Sequence, residues 1–166
     1  MSERRSLKFY QADVFTGQPF GGNPVAVFPD AQGLTDEELQ QIAREMNLSE
    51  TVFVFPPTDP SAVVRLRIFT PTQEIPFAGH PVLGTFFILA SLGRISLTDP
   101  VTHLVQECNI GLFAVEVHSL GGRVERVVMS QPKPEFLGPV SENEKDRKST
   151  RLNSSHVSES RMPSSA

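Results

Sequence analysis

Residues 44–85 read REMNLSETVFVFPPTDPSAVVRLRIFTPTQEIPFAGHPVLGT and hold two polar clusters in otherwise apolar sequence. The first, residues 47–50, places a hydroxyl and a carboxylate where a helix is expected to end and an apolar strand to begin. The second, residues 76–81, places His80 and the glycine before it at the start of another helix. A carboxylate, an imidazole and free backbone N–H groups are the parts needed to move a proton on a small anionic molecule.

Two helices flank these clusters. The first is predicted to start with a capping box, because Thr35 is followed three residues later by Glu38, and Asn47 is a residue type that ends helices. The second, residues 82–92, is apolar nearly all round, and Pro81 suits its first turn because that position needs no N–H. Since a helix that is apolar on every side must be surrounded, we expect it at the centre of the domain, wrapped by sheet.

Short alternating or apolar runs predict strands elsewhere in the chain. The predicted strands are residues 8–15, 25–28, 51–55, 62–69, 101–108, 111–118 and 123–131. The last three follow one another across short turns, which indicates an antiparallel meander. The predicted fold class is therefore α+β, with a curved, mostly antiparallel sheet wrapped around one buried central helix. Arg65 and Arg67 alternate with apolar residues, which predicts one wet strand face.

The composition excludes several classes of protein. The chain has 166 residues, of which 39% are hydrophobic, and its net charge of −4 gives no support to nucleic-acid binding. No segment is long enough to cross a membrane. Arg4 and Arg5 are not followed by a long apolar run, which argues against a secretory signal. Cys108 is the single cysteine and is expected to be a small buried apolar residue, so a cytoplasmic location fits.

The last 21 residues differ from the rest of the chain. Residues 146–166 contain seven Ser and four apolar side chains with no helical or strand period, which indicates disorder. The run DRKSTRLNSSH at 146–156 is what a common sequencing-library adapter encodes when it is read in frame, and SRMPSSA at 160–166 matches the far end of that adapter. We interpret this tail as artefactual and exclude it from fold reasoning; a natural Ser-rich tail is the alternative.

Four blocks of sequence together resemble the PhzF-like isomerase/epimerase family of phenazine biosynthesis. In the family's order and spacing, they are FGGNPVAVF (20–28), IAREMNLSE (42–50), RIFTP (67–71) and PFAGHP (76–81). The resemblance implies a diaminopimelate-epimerase-like fold, in which two similar lobes enclose the active site between them. On this interpretation residues 1–131 are the N-terminal lobe, residues 132–145 start a truncated inter-lobe segment, and residues 146–166 are the tail.

The same resemblance implies roles for five residues. Glu50 would be the catalytic acid/base, and His80 would line the same site as a second catalytic residue. Asn23, Ser49 and Gly79 match substrate-contacting positions of the family. The reaction implied is a proton shift on a small cyclic carboxylate, similar to a dihydro-hydroxyanthranilate, with no metal and no organic cofactor. A homodimer is possible for the full-length protein.

Simpler structural explanations exist for most of these residues. Glu50 could be a solvated surface residue at a helix–strand junction, His80 a helix cap, and Asn23 a turn former. His103 and His118 lie in strand patterns without a cysteine or carboxylate at ligand spacing, so we interpret them as ordinary strand residues.

Three functional hypotheses follow from the sequence. The first is an isomerase with Glu50 as acid and base; Ala78 supports single-carboxylate chemistry, because racemases of the wider superfamily carry a catalytic cysteine near that position. The second is a binding or accessory protein that keeps the fold without the chemistry. The third is a fragment that is inactive alone, because the family's second lobe supplies an Asp and an anion-binding loop that nothing after Gln131 matches.

Overall fold

The computed structural model describes residues 6–131 and 160–161, which form one sheet and two helices. The helices are α1 (Asp36–Met46) and α2 (Gly79–Ser91). The strands in this part of the chain are β1 (Tyr10–Val14), β2 (Asn23–Phe28), β3 (Glu50–Phe55), β4 (Val64–Phe69), β5 (Glu74–Ile75), β6 (Val101–Cys108), β7 (Gly111–Leu120), β8 (Arg123–Met129) and β9 (Ser160–Arg161).

The sheet is mixed, and its two parallel pairs follow from the two helical connections. The strand order is β1-β2-β3-β4-β6-β7-β8-β9, with β5 paired to β4. Strands β2 and β3 are parallel, as are β4 and β6, whereas the other neighbours are antiparallel. Parallel neighbours need a crossover connection, which α1 supplies for the first pair and the β5–α2 segment for the second. The predicted meander is β6-β7-β8, and the prediction of a mostly antiparallel sheet agrees with these pairings.

Helix α1 begins and ends as the sequence predicts. The Thr35 hydroxyl accepts a hydrogen bond from the Glu38 backbone N–H at 3.2 Å, and the Glu38 carboxylate accepts one from the Thr35 N–H at 2.9 Å. Asn47 ends the helix in the left-handed conformation, with φ of 51°. The buried face of α1 presents Leu39 and Ala43 to an apolar cluster on one side of the sheet. The capping box therefore fixes where the crossover to β3 starts.

Helix α2 is held against the opposite side of the sheet and is buried along most of its length. Nine of its 13 residues are buried, and it contacts β1, β2, β3 and β8. Gly84 allows a close approach to the sheet, since a Cβ there would lie 2.6 Å from Val25 Cγ1 and 3.0 Å from Val14 Cγ2. A helix this apolar can be accommodated only because strands from both ends of the sheet reach it.

The sheet does not enclose α2 on all sides. Phe87 is half-buried and Ser91 is exposed, and both line an open depression of about 360 Å³ beside β1. These contacts therefore do not support the expectation that the sheet surrounds the helix on every side. The helix begins at Gly79, so that His80 and Pro81 lie in its first turn, as the sequence predicts.

The prediction of a wet face at Arg67 is wrong. The Arg67 side chain is only 19% exposed, and its guanidinium forms 2.6 Å ion pairs with Glu74 of β5 and Asp36 of α1. These two acids come from elements outside β4, so strand alternation alone could not indicate them. Arg65 is half-buried and lies 3.8 Å from Glu107. The Arg67 pairs tie α1 and β5 to the middle of the sheet.

The single cysteine and two of the histidines lie on β6 and β7. Cys108 is buried and free, as expected. His103 and His118 lie on β6 and β7, and each pairs with Glu116. Within residues 6–131 and 160–161, no group of three or more His, Cys, Asp or Glu side chains is arranged to hold a metal ion. In the same residues, neither helix has the length and apolar character needed to cross a membrane.

The last residues are described only in part. Ser160 and Arg161 pair with Val127 and Arg126 of β8 as β9, a strand that the sequence pattern did not predict. The rest of 146–166 and all of 132–145 lie outside the described residues, so the interpretation of these segments stays a prediction.

Candidate active site

Glu50 and His80 meet where β3 and α2 begin. Glu50 is the first residue of β3 and His80 the second residue of α2. His80 Nε2 lies 3.2 Å from Glu50 Oε2, with the side chains 9% and 19% exposed. The two polar clusters of residues 44–85 therefore form one site, in which a carboxylate and an imidazole face each other.

The parallel pairing of β2 and β3 explains how a third residue reaches this site. Val25 of β2 is paired with Glu50 of β3. Because parallel strands bring their amino ends to the same edge of a sheet, Asn23 at the start of β2 lies beside the start of β3. The first turn of α2 lies at this edge, with His80 within hydrogen-bond distance of Asn23.

A chain of hydrogen bonds joins three of the five predicted site residues, and a fourth, Glu50, faces one of them. The Ser49 hydroxyl donates to Asn23 Oδ1 at 3.2 Å, and Asn23 Nδ2 lies 3.2 Å from His80 Nδ1. His80 Nε2 then faces Glu50. The predicted substrate-contacting residues Asn23 and Ser49 thus also hold the imidazole of His80 in place.

The facing atoms of Glu50 and His80 are close but do not form a well-directed hydrogen bond. Glu50 Oε2 and His80 Nε2 are both buried, and neither has a hydrogen-bond partner among the described residues. Their separation of 3.2 Å is short enough for a bond, so the angle rather than the distance is unfavourable. Buried polar atoms without partners are uncommon, and a catalytic role is one of the explanations for them.

Burial keeps the His80 imidazole neutral. Loss of solvent lowers the pKa of His80 below its ordinary value, and this effect outweighs the Glu50 carboxylate and the Pro24 carbonyl, which both favour the protonated ring. At neutral pH the site therefore holds a neutral imidazole beside Glu50.

Gly79 lies next to the site without joining the hydrogen-bond chain. It is the first residue of α2, and the residue before it, Ala78, provides no side-chain cap, so backbone N–H groups of the first turn remain for a ligand. A Cβ at Gly79 would lie 3.0 Å from Gln131 Nε2. Gln131 lies two residues after the end of β8, and no feature of its local sequence points to this neighbour.

Sequence reasoning also missed Phe15. Its ring centroid lies 6.4 Å from that of His80, its side chain is 46% exposed, and its φ is 66°. A positive φ is uncommon for a bulky residue and indicates a backbone held by its surroundings. In the loop that follows, the Phe20 N–H donates to Asp13 Oδ2 at 2.8 Å. The turn-rich sequence after Phe15 predicts a loop but not the direction of this ring.

Comparison with known proteins identifies the family. The sequence profile described as "Phenazine biosynthesis-like protein" (PhzC-PhzF) matches residues 12–165. The chain belongs to the phenazine biosynthesis-like family. This confirms the resemblance carried by the four sequence blocks. The chain is 45% identical over 122 residues to the trans-2,3-dihydro-3-hydroxyanthranilate isomerase of Pseudomonas chlororaphis, covering 74% of this chain and 41% of the relative.

Other relatives and solved structures agree. An uncharacterized isomerase of Pasteurella multocida is 54% identical over 98 residues, which are 59% of this chain and 32% of the relative. The PhzF-family protein of Bacillus anthracis matches with a TM-score of 0.69 at 31% identity, covering 80% of this chain and 42% of that structure. A probable proline racemase from Agrobacterium radiobacter shares the fold, with a TM-score of 0.59 at 18% identity. The chain spans less than half the length of these phenazine biosynthesis-like relatives.

Proposed function

We propose that this chain is the N-terminal lobe of an isomerase that shifts a proton on a small cyclic carboxylate, with Glu50 as the single acid/base. The observation that carries the proposal is the buried, unpartnered Glu50 Oε2 facing His80 Nε2. The isomerase names of the relatives support the reaction class, and the Pseudomonas chlororaphis enzyme suggests a dihydro-hydroxyanthranilate-like substrate.

The site offers a separate group for each part of such a reaction. The Glu50 carboxylate removes a proton from one carbon of the substrate and returns it to another, so the net charge of the site is unchanged after one cycle. Backbone N–H groups at the start of α2, beside Gly79, suit the substrate carboxylate, because a helix N-terminus favours negative charge by about 0.3–1 kcal/mol. In this proposal Asn23 and Ser49 line the substrate side of the site.

The proposal assigns the remaining parts of the site to residues beyond this lobe. Because the relatives are more than twice as long as the matched region, the lobe alone is expected to leave the substrate exposed on one side and to be inactive. By the same resemblance, α2 is the central helix of the lobe and the complete protein is able to form a homodimer, and the single cysteine supports a cytoplasmic location.

The decisive experiment is the substitution Glu50→Gln in a completed protein. Residues 1–131 are joined to the part of the Pseudomonas chlororaphis isomerase that follows its matched region. Turnover of trans-2,3-dihydro-3-hydroxyanthranilate and deuterium incorporation from D₂O are then measured. Because an amide cannot accept the proton, we expect both rates to fall by about 10²–10⁴-fold, while substrate binding measured by calorimetry changes little.

The matched control is Glu45→Gln, the same change at an exposed position of α1. It is expected to leave both rates unchanged. Retention of deuterium incorporation in the Glu50→Gln variant would refute the role of Glu50. Substrate binding without turnover in the unsubstituted fusion would favour the accessory-protein hypothesis.

A further inference from the structure

We propose that Phe20 on the β1–β2 loop, together with Ile110 and Leu112 on the β6–β7 hairpin, anchors the second lobe of the full-length protein on both flanks of the candidate site. All three side chains are exposed. The inference rests on the proposed function only in treating this chain as one lobe of a longer protein.

Phe20 is the most exposed large apolar side chain of the described residues, with 97% of its surface accessible. Its backbone is nevertheless held in place, because the Phe20 N–H donates to Asp13 Oδ2 at 2.8 Å and the Gly21 N–H donates to the Gln18 carbonyl at 3.3 Å. Its φ of 64° is uncommon for a bulky residue. The loop thus directs an aromatic ring away from the lobe, and large aromatic side chains are typical anchors of protein interfaces.

The β1–β2 loop lies at the rim of the sheet that carries the candidate site. It connects Val14 with Asn23, which are paired residues of β1 and β2, and Asn23 lies 3.2 Å from His80. Phe15, the first residue after β1, has its ring centroid 6.4 Å from that of His80. Phe20 therefore lies on a loop that borders the site directly.

The turn of the β6–β7 hairpin lies at the same rim. Asn109 in this turn donates to Glu74 Oε1 at 2.8 Å, and Glu74 of β5 is paired with Phe69 at the end of β4. Phe69 is in turn paired with Thr51, the residue that follows Glu50. The pairings therefore place the turn on the other flank of the site.

The distance between the two flanks identifies the kind of partner. Strands β2, β3, β4 and β6 are consecutive neighbours, so three strand spacings of about 4.8 Å each separate the loop after β1 from the hairpin. A small cyclic substrate is too short to contact both flanks, whereas a protein surface laid across the site contacts both. The chain covers 41% of its Pseudomonas chlororaphis relative, and the remaining part of such a protein can supply that surface. Apolar contacts on both flanks would also exclude water from the polar groups between them.

The test is tryptophan fluorescence, because the chain contains no Trp. Phe20→Trp and Ile110→Trp are made separately in the 166-residue chain and in the fusion of residues 1–131 with the rest of the Pseudomonas chlororaphis isomerase. Subtracting the spectrum of the unsubstituted fusion isolates the emission of the added indole. We expect the long-wavelength emission of a solvated indole in the chain and a shift to shorter wavelength in the fusion, at both positions and without substrate.

The control is Leu120→Trp, at an exposed residue that ends β7 on the opposite rim; its emission should be the same in the chain and in the fusion. Circular dichroism checks that each variant is folded, and Leu112→Trp takes the place of Ile110→Trp if that variant does not fold.

Unchanged emission at either flank of the folded fusion overturns the proposal. A shift that appears only after trans-2,3-dihydro-3-hydroxyanthranilate is added also overturns it, because the partner would then be the substrate. So does a concentration-dependent shift in the 166-residue chain alone, because a second copy of the chain would then cover the rim. No turnover is measured, so a failure here is distinct from a failure of Glu50 as the acid/base.

Discussion

At the scale of single residues, two opposing effects act on the pKa of His80: burial and the charge of Glu50. His80 is buried beside a carboxylate that would attract a ring proton, yet loss of solvent lowers its pKa. A solvated histidine in the same position would titrate near neutrality and would be charged for part of the time. The site instead keeps a neutral imidazole, which makes the fold sensitive to acid.

We expect this sensitivity to appear in the stability of the chain. The pKa of His80 is lower in the folded state than its ordinary value of 6.5, so on acidification the unfolded chain binds this proton first. The His80 contribution is therefore fully present above about pH 6.5 and is lost as the pH falls from there toward the folded-state pKa. Urea unfolding between about pH 7 and pH 5 should show a steeper loss of stability for the unsubstituted chain than for His80→Gln.

His103→Gln provides the comparison for that measurement. His103 lies on β6 with a side chain that is 75% exposed, so its replacement removes a histidine from the surface instead of from the buried site. Equal pH dependence in the chain and in His80→Gln would contradict the assignment of a lowered pKa to His80.

At the scale of elements, the close approach of α2 to the sheet places His80 over Asn23. Gly84 is one turn further along the helix and leaves no room for a methyl group against Val14 and Val25. Because Val25 and Asn23 both belong to β2, the distance between α2 and β2 at Gly84 also determines how close His80 lies to Asn23. Packing in the interior of α2 therefore supports the geometry of its first turn.

Gly84→Ala tests this packing. Alanine is the better helix former by about 1 kcal/mol, which alone would stabilise α2. The added Cβ would lie 2.6 Å from Val25 Cγ1, and forcing such an overlap into a packed core costs about 1–3 kcal/mol. We expect a net loss in the free energy of unfolding, measured by urea denaturation.

The double variant with Val25→Ala identifies the cause. Shortening Val25 makes room for the new methyl group, so the two changes together should destabilise less than the sum of their separate effects. Strict additivity would show that the helix does not approach β2 closely at Gly84.

Helices α1 and α2 show which features the local sequence predicts and which it does not. The capping box of Thr35 and Glu38 is encoded within three residues, and the apolar surface of α2 is visible in its composition alone. The contact of His80 with Glu50 depends instead on how the start of α2 lies against the start of β3, which no local pattern specifies; only the family resemblance implied that both residues line one site. Arg67 was misjudged for the same reason, because Asp36 and Glu74 reach it from other elements.

At the scale of the whole molecule, we propose that the described residues carry one side of the candidate site. The chain covers 41% of its Pseudomonas chlororaphis relative and 42% of the Bacillus anthracis structure. Glu50 and His80 are contributed entirely by this lobe, together with the residues that orient them. We therefore expect the lobe to arrange its acid/base group without being able to exclude water from the substrate.

This division predicts different activities for the lobe and for the fusion described above. The 166-residue chain should incorporate no deuterium into trans-2,3-dihydro-3-hydroxyanthranilate above the rate in buffer, whereas the fusion should do so in a Glu50-dependent manner. Circular dichroism of the chain serves as the control for folding. Turnover by the folded chain alone would overturn the proposal that a second lobe is required.

The parallel pairing of β2 and β3 has a consequence for how this lobe can change over evolutionary time. Asn23 and Glu50 lie at the amino ends of these strands, whereas Phe28 and Phe55 end them at the opposite rim. The connection that follows Phe55 is fastened by Glu107, which accepts hydrogen bonds from the backbone of Thr58 and Asp59. An insertion in the connection after Phe55 would lie about 17 Å from Glu50 along β3. The hydrogen bonds to Glu107 would hold this connection in place. Homologues can therefore diversify in loop length there while the proton-moving groups keep their places.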